Sequence, residues 1–280
     1  MKLAVFGDIH SNHIALEACM AEAQKQSVDG ILFLGDYVSD CADPQQTMAL
    51  LRDIASHYRC WFIRGNREEY LIDHADGKNE WKDNSQSGSL LYTYENLTLQ
   101  DIEWFRSLPI AMKIEIEGTP AFEICHGAPD RSRAMLLPGR EDFNLALAQM
   151  ETNLLLCAHT HETFVTEKDG KTIANGGSLG LPCDDTPGAS FLLLELIDGR
   201  WIPQLHRVSY DAEAVIREFS TSGFMKRGHV WARTMAHTIR TGHNYTLDCI
   251  ALTEQYAKAQ GLPFDTEALW EQAARKLNVP

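Results

Sequence analysis

Leu3-Ala4-Val5-Phe6-Gly7-Asp8-Ile9-His10 opens with four apolar residues that stop at a glycine, an acid and a histidine. Two later stretches repeat the form: Ile31-Leu32-Phe33-Leu34-Gly35-Asp36 and Trp61-Phe62-Ile63-Arg64-Gly65-Asn66. Short continuous apolar runs suit strands buried on both faces. Between the first two, His13 to Gln26 carries Ile14, Leu16, Ala18, Cys19 and Ala21 to Ala23 at helical spacing among good helix formers. Between the second and third, Asp43 is placed to cap, and Pro44 to begin, a helix reaching about Ser56. Strand, helix, strand, helix, strand is the order of a covered α/β sheet.

Farther along, His74 to Tyr94 is polar and reads as an irregular surface insertion. Thr98 and Asp101 have capping-box spacing and open a helix to Ser107. Strands are expected over 113–117, 122–125, 154–157, 164–167, 172–174 and 191–197, with Asp169-Gly170 and Asp198-Gly199 as hairpin turns. The two halves together predict an α/β sandwich of two sheets with outer helices. From Tyr210 the pattern is helical only, broken by Gly223, Gly228, Gly242 and Gly261-Leu262-Pro263.

The composition narrows the class. A chain of 280 residues, 44% hydrophobic, can bury a proper core without a disulfide or a structural metal. Its longest apolar runs fall far short of the roughly 18–20 residues that span a bilayer. Lys plus Arg number 25 against 39 Asp plus Glu, a net charge of −14. That surface disfavours anionic membranes and non-specific duplex nucleic acid, so an anionic substrate needs local arginines or bound metal. The seven cysteines never form C-x-x-C and mostly sit in apolar stretches. With no hydrophobic signal core after Met1, a cytoplasmic setting is expected. The oligomeric state has no sequence signal.

Five strand ends finish in ligand chemistry: Asp8-Ile9-His10, Gly35-Asp36, Gly65-Asn66, His126-Gly127 and His159-Thr160-His161. Loops at carboxyl edges of α/β sheets are where such sheets place their ligands. Carboxylate, amide oxygen and imidazole nitrogen suit Mn²⁺, Fe or Zn²⁺. In D-x-H and H-x-H both side chains point one way if the local chain stays extended. Seven donors with one carboxylate shared make two metal centres, and two ions roughly 3.5–4 Å apart can clamp a phosphoryl group. A single D-x-H is commonplace on a protein surface; the ordered set behind successive strands is the signal. His13, His57, His74 and His206 have no such partners and read as surface or packing residues.

Over about residues 1–208 this pattern resembles the calcineurin-like metallophosphoesterases, whose motifs read G-D-x-H, G-D-x-x-D, G-N-H-[DE], H and G-H-x-H. The resemblance implies an αββα sandwich of two mixed sheets flanked by helices over 1–208, with a helical C-terminal appendage over 209–280. It implies Asp8, His10 and His161 at one metal, Asn66, His126 and His159 at a second, and Asp36 bridging. Asn175-Gly176-Gly177-Ser178 is similar to the family's N-P-G-S turn. Gly7 to Asn12 resembles the D-I-H-G-N subgroup of small prokaryotic phosphodiesterases, and Asn12 enters with Arg67 and His126 as a catalytic candidate. Some relatives in that subgroup with a helical tail are dinucleoside-polyphosphate hydrolases. Asp40 is offset by one from the family's second Asp and is not carried over. Ala158 replaces a family glycine. Arg67 stands where many members carry histidine.

Arginine binds phosphoryl oxygens but gives up no proton, which favours diesters and phosphoanhydrides over monoesters of poor leaving groups. Arg67, Arg131 and Arg133 are the candidate phosphate-binding residues, loop charge being the alternative. On 229–241, Arg233, His237 and Arg240 share a helix face that is either solvated or a basic lid; Trp231 and Trp270 read as packing residues. The reading is a metal-dependent phosphoesterase acting through a metal-bound hydroxide on a phosphorylated small molecule or nucleotide. A protein-phosphatase-like monoesterase is the alternative, with a metal-free binding scaffold a distant third.

Overall fold

The structure is a computed structural model describing Met1 to Val279; the last residue of the expected appendage, Pro280, lies outside the described residues. β1 (Lys2–Phe6), α1 (His13–Lys25), β2 (Gly30–Phe33), α2 (Pro44–His57) and β3 (Cys60–Phe62) follow in the expected alternation. Asn12 caps α1 and Asp43 caps α2, each accepting from a backbone N–H three residues on. Three helices come next: α3 (Asn66–Ala75), α4 (Gly88–Glu95) and α5 (Leu99–Ser107), the last opened by the Thr98/Asp101 capping box. Then come β4 (Ala111–Ile114), β5 (Phe122–Cys125), α6 (Glu141–Gln149), β6 (Leu154–Cys157), β7 (Thr163–Lys168), β8 (Lys171–Gly176), β9 (Ala189–Ile197) and β10 (Arg200–Val208). After β10 the described elements are helices: α7 (Ala212–Thr221), α8 (Phe224–Arg227), α9 (His229–Thr241), α10 (Tyr245–Gln260) and α11 (Glu267–Lys276).

The strands form two five-stranded mixed sheets, ordered β10-β9-β1-β2-β3 and β4-β5-β6-β8-β7. Alternation along β1 shows the logic of the layers. Leu3 and Val5 join Leu32, Phe122, Ile124, Leu156 and Leu192 in the core between the sheets. Ala4 and Phe6 point the other way, into a core with Leu16, Leu51 and Phe105 from α1, α2 and α5. On the far side, Leu155 and Ile173 pack against Phe143 and Leu147 of α6. Each sheet is thus apolar on both faces, which is why its central strands read as unbroken hydrophobic runs.

Four elements escape the sequence reading, among them α3, which follows directly on the Gly65-Asn66 strand end. β10 carries Pro203, which suits an edge strand, where β10 lies. The short α6 was hidden in a mixed stretch. α4 overturns the irregular insertion expected over 74–94: its polar residues are buried because their hydroxyls find partners. Tyr92 donates to the Ala42 carbonyl at 3.0 Å and Thr93 to that of Ser89 at 3.0 Å. α4 meets the C-terminal helices through Tyr92, which packs with Phe219, Phe224 and Met235 and with Cys41, Ala42 and Leu181 of the sandwich loops. Among the described residues no helix is long and apolar enough to cross a membrane.

Candidate metal centre

Because β1, β2 and β3 run parallel, as do β5 and β6, their carboxyl ends gather at one edge of the sandwich. The structure brings all seven expected donors there. Asp8, His10 and His161 form one group and Asp36, His126 and His159 a second, with the ligand atoms of each within 4.8 Å of one another. Asn66 Oδ1 lies 3.0 Å from His126 Nε2. Asp36 Oδ2 faces both groups, 3.9 Å from His10 Nε2 and 3.4 Å from His126 Nε2.

The local chain is not extended, and that expectation is corrected. Asp8, His10, Asp36, His159 and His161 have φ of 54°, 52°, 53°, 69° and 58°. The left-handed turns arise because the first loop leaves its strand still tied to its neighbour: Asp8, His10 and Ser11 donate to the carbonyls of Gly35, Asp36 and Tyr37. Asp and His are among the side chains that tolerate this region best. The loops also approach closely. A Cβ on Gly65 would overlap the Asp36 carboxylate, and one on Gly35, at φ 91°, would overlap the Gly65 backbone.

Three of the four imidazoles are aimed from behind. His126 Nδ1 lies 2.7 Å from the Leu34 carbonyl and His161 Nδ1 2.7 Å from that of Leu181. A carbonyl only accepts, so both Nδ1 atoms donate and both Nε2 atoms face the centre. His10 Nδ1 is likewise 3.2 Å from Asp40 Oδ2, leaving its Nε2 3.0 Å from His161 Nε2. Two bare lone pairs at that distance repel; a cation or a proton must lie between them. Asp8 Oδ1, fully buried, has no hydrogen-bond partner. Burial alone would raise the carboxylates, yet the neighbouring imidazoles hold Asp8 and Asp36 below the usual range. In return, against the downward push of burial, Asp36 lifts His126 to about 9. Burial and then the His126 charge push His159 down to about 4. These orphaned acceptors and the call for positive charge fit a pair of divalent cations.

Two acids that the sequence reading left without a role hold the loops. Glu68, fully buried, accepts the backbone N–H groups of Asp36, Tyr37 and Gly65, each at 2.8 Å. Burial, and then the Asp36 charge, push its carboxyl up to about 7. Its four-residue box with Gly65 was the available sequence signal. Glu68→Ala strands three buried donors at about 1–3 kcal/mol each. We expect stability to fall by about 3 kcal/mol or more, read from the urea midpoint of chelator-treated protein; an unmoved midpoint refutes this latch.

Asp40 is the second. It takes Arg67 Nη2 at 3.0 Å, His10 Nδ1 at 3.2 Å, Ser39 Oγ at 2.8 Å, Ser89 Oγ at 3.2 Å and Trp231 Nε1 at 2.8 Å. The one-residue offset in Gly35-Asp36-Tyr37-Val38-Ser39-Asp40 concealed it. Asp40 thereby ties Arg67 beside the centre, the guanidinium carbon lying 5.8 Å from the Tyr70 ring and 6.0 Å from that of Trp231.

Other candidates are placed differently. Asn12, expected as a catalytic candidate, is buried with both ends of its amide in contact with the backbone. Its Oδ1 accepts from Ala15 N at 3.0 Å while its Nδ2 donates to the Gly180 carbonyl at 3.1 Å, so its amide is spent on the fold. Arg131 is exposed and paired with Asp130 and Asp142, at 3.4 and 3.2 Å. Arg133 lies over the Tyr70 ring at 4.3 Å and lines a separate surface cleft with Arg131 and Glu69. Neither arginine lines the cleft beside His159 and His161. The helix over 229–241 forms, but its basic stripe is matched by acids, Arg233 by Glu271 and Arg240 by Glu213. α9 instead presents Trp231, Met235 and Thr238 to a cleft of about 200 Å³ shared with Arg67, His159 and His161. Trp231, read as packing, therefore also lines this cleft, whereas Trp270 is 1% exposed. Replacing Arg233 and Arg240 together by Ala should leave kcat/KM for a phosphodiester unchanged; a marked drop would restore the basic lid.

Comparison with known proteins places the chain in a family and the fold among solved structures. Residues 1–199 match the calcineurin-like phosphoesterase superfamily domain. An uncharacterized protein of Methanocaldococcus jannaschii is 26% identical over 230 residues, covering 75% of this chain and 88% of that one. The fold is shared with a metallophosphoesterase from Sphaerobacter thermophilus: TM-score 0.67, 23% identity, 86% of this chain and 99% of that chain covered. It is shared too with a hypothetical protein from Pyrococcus horikoshii: TM-score 0.73, 20% identity, 84% and 97% covered.

Proposed function

The chain belongs to the calcineurin-like phosphoesterase superfamily, and from that premise we propose that it hydrolyses phosphodiesters or nucleotide phosphoanhydrides with the help of two divalent metal ions. Asp8, His10 and His161 would hold one ion, Asn66, His126 and His159 the other, and Asp36 would touch both. Mn²⁺, Fe and Zn²⁺ all suit the donor set. Once bound, such ions supply a nucleophilic hydroxide and neutralise phosphoryl charge.

The observation that carries the choice of substrate is the position of Arg67. It lines the 200 Å³ cleft beside His159 and His161 and also a second cleft of about 420 Å³ with Tyr70, Trp81 and Lys82. A phosphoryl group on this guanidinium has room for an arm on either side, as a diester or anhydride requires. Asp40 holds the side chain in place, and a planar fork matches two phosphoryl oxygens. In the reaction water adds to phosphorus and releases a proton to solvent, one P–O ester or anhydride bond breaks, and the arm departs with the bonding pair. Arg67 stabilises the charge but donates no proton, so arms that leave as weakly basic anions are favoured.

The test is metal-loaded protein with bis-p-nitrophenyl phosphate, p-nitrophenyl phosphate, a dinucleoside polyphosphate and an alkyl monoester. Faster turnover of diester or anhydride than of either monoester is expected. Preference for monoesters would overturn the proposal in favour of a phosphatase.

A further inference from the structure

The geometry points to a subsite for one apolar, aromatic arm of the substrate, built by the C-terminal helices against the metal-centre loops; this rests on the phosphoesterase reading above and names the class of group that the reading leaves open. The cleft beside His159 and His161 is walled by Met135 and Leu181 from the sandwich and by Trp231, Met235, Leu247 and Ile250 from α9 and α10. In a chain of net charge −14, the lining holds no acidic side chain: beside these six apolar residues it carries Arg67, the two histidines, Cys183, Asn244 and three threonines.

Its residues are suited to a flat ring. The Trp231 indole is fixed at its edge by the bond from Nε1 to Asp40 at 2.8 Å, so the ring that lines the cleft, with the Arg67 guanidinium carbon 6.0 Å from its centre, is held rigidly. Met135 and Met235 bring thioethers, which make favourable contacts with aromatic rings. Leu247 is 57% exposed at the mouth, on the first turn of α10, so that part of its apolar surface has no cover within the chain. The volume, about 200 Å³, matches one ring: an engineered cavity of about 150 Å³ takes benzene. A bare alkyl arm would leave most of this wall wet, whereas an aryl group or a nucleobase would cover it.

Two measurements test the subsite. The first is direct binding of phenylphosphonate and methylphosphonate to Mn²⁺-loaded protein by calorimetry, in parent, Leu247→Asp and the remote control Leu99→Asp. Phenylphosphonate should bind about tenfold or more tighter than methylphosphonate, as for a ring entering an apolar pocket. Leu247→Asp should reduce that ratio several-fold and Leu99→Asp should not. Position 247 lies in the first turn of α10, where an acid suits the helix dipole. The second is kcat/KM for bis-p-nitrophenyl phosphate against methyl p-nitrophenyl phosphate, which share a leaving group and differ in the other arm. Equal affinity for the two phosphonates, or binding of neither, overturns the subsite, as does a ratio untouched by Leu247→Asp. Preferential binding of the phenyl compound without hydrolysis of either diester supports the subsite and overturns the phosphodiesterase reading instead.

Discussion

Asp36→Ala is expected to abolish turnover and to lower metal occupancy at both groups together. Asp36 Oδ2 is the carboxylate oxygen that faces His10 at 3.9 Å and His126 at 3.4 Å. Its loss removes an anionic donor from two positions in a site where burial makes every uncompensated charge costly. Replacing a group merely behind a ligand typically costs about 10–100-fold in affinity or activity; a donor common to two ions should exceed that, at about 10³-fold or more. Asp36 Oδ1 also accepts the Arg67 backbone N–H at 2.8 Å, so Asp36→Asn is the sharper variant: it keeps an oxygen for that contact and replaces only the charged oxygen that faces both groups, by an NH2 that cannot ligate. Elemental analysis and turnover on parent, Asn and Ala proteins decide the matter. Two ions per chain in an active Asp36→Ala protein would sink the bridge, and an active parent with at most one ion would sink the pair.

Arg67→Ala should lower kcat/KM on aryl diesters by about 10²–10³, the usual cost of losing one charge-stabilising donor at a transition state. The side chain is positioned for that work by Asp40, 3.0 Å from its Nη2. Arg67→His separates charge from proton transfer. Histidine has an unperturbed pKa of about 6.5, and the Asp40 carboxylate beside it would raise that value. Below the raised pKa the imidazolium can protonate an alkoxide, and above it that ability is lost. Alkyl monoesterase activity should therefore appear in the His variant and decline as pH rises through the pKa, a limb absent from the parent. Profiles over about pH 5–9 at equal metal occupancy test this. An Ala variant equal to the parent on every substrate would show that Arg67 has no role in the reaction.

The features legible in sequence were those with a local signature. Apolar runs ending in Gly-Asp, Gly-Asn or His marked both the central strands and the edge where the donors meet, because a strand buried on both faces must be hydrophobic to its end. Caps at Asp43 and Thr98 were local as well. What stayed hidden was long-range. Asp40 meets Trp231 across 191 positions of sequence, and no spacing rule announces such a pair. The same holds for the apolar stripe of α9. Arg233 and Arg240 drew the eye as charges, yet Glu271 and Glu213, both distant in sequence, match them. α4 was missed because burial of polar residues depends on partners that only the fold supplies.

Asp8, His10, Asp36, His159 and His161 hold backbone angles that cost a non-glycine residue of order 1–3 kcal/mol apiece. The protein therefore carries its reactive centre as a thermodynamic debt against a net stability typically of only about 5–15 kcal/mol. Glycine at any of these positions would relieve the turn and delete a donor in the same stroke. Laboratory evolution for heat tolerance alone, with no demand for activity, should accordingly discard these residues early, and stabilisation that preserves activity ought to leave the three loops that carry them untouched.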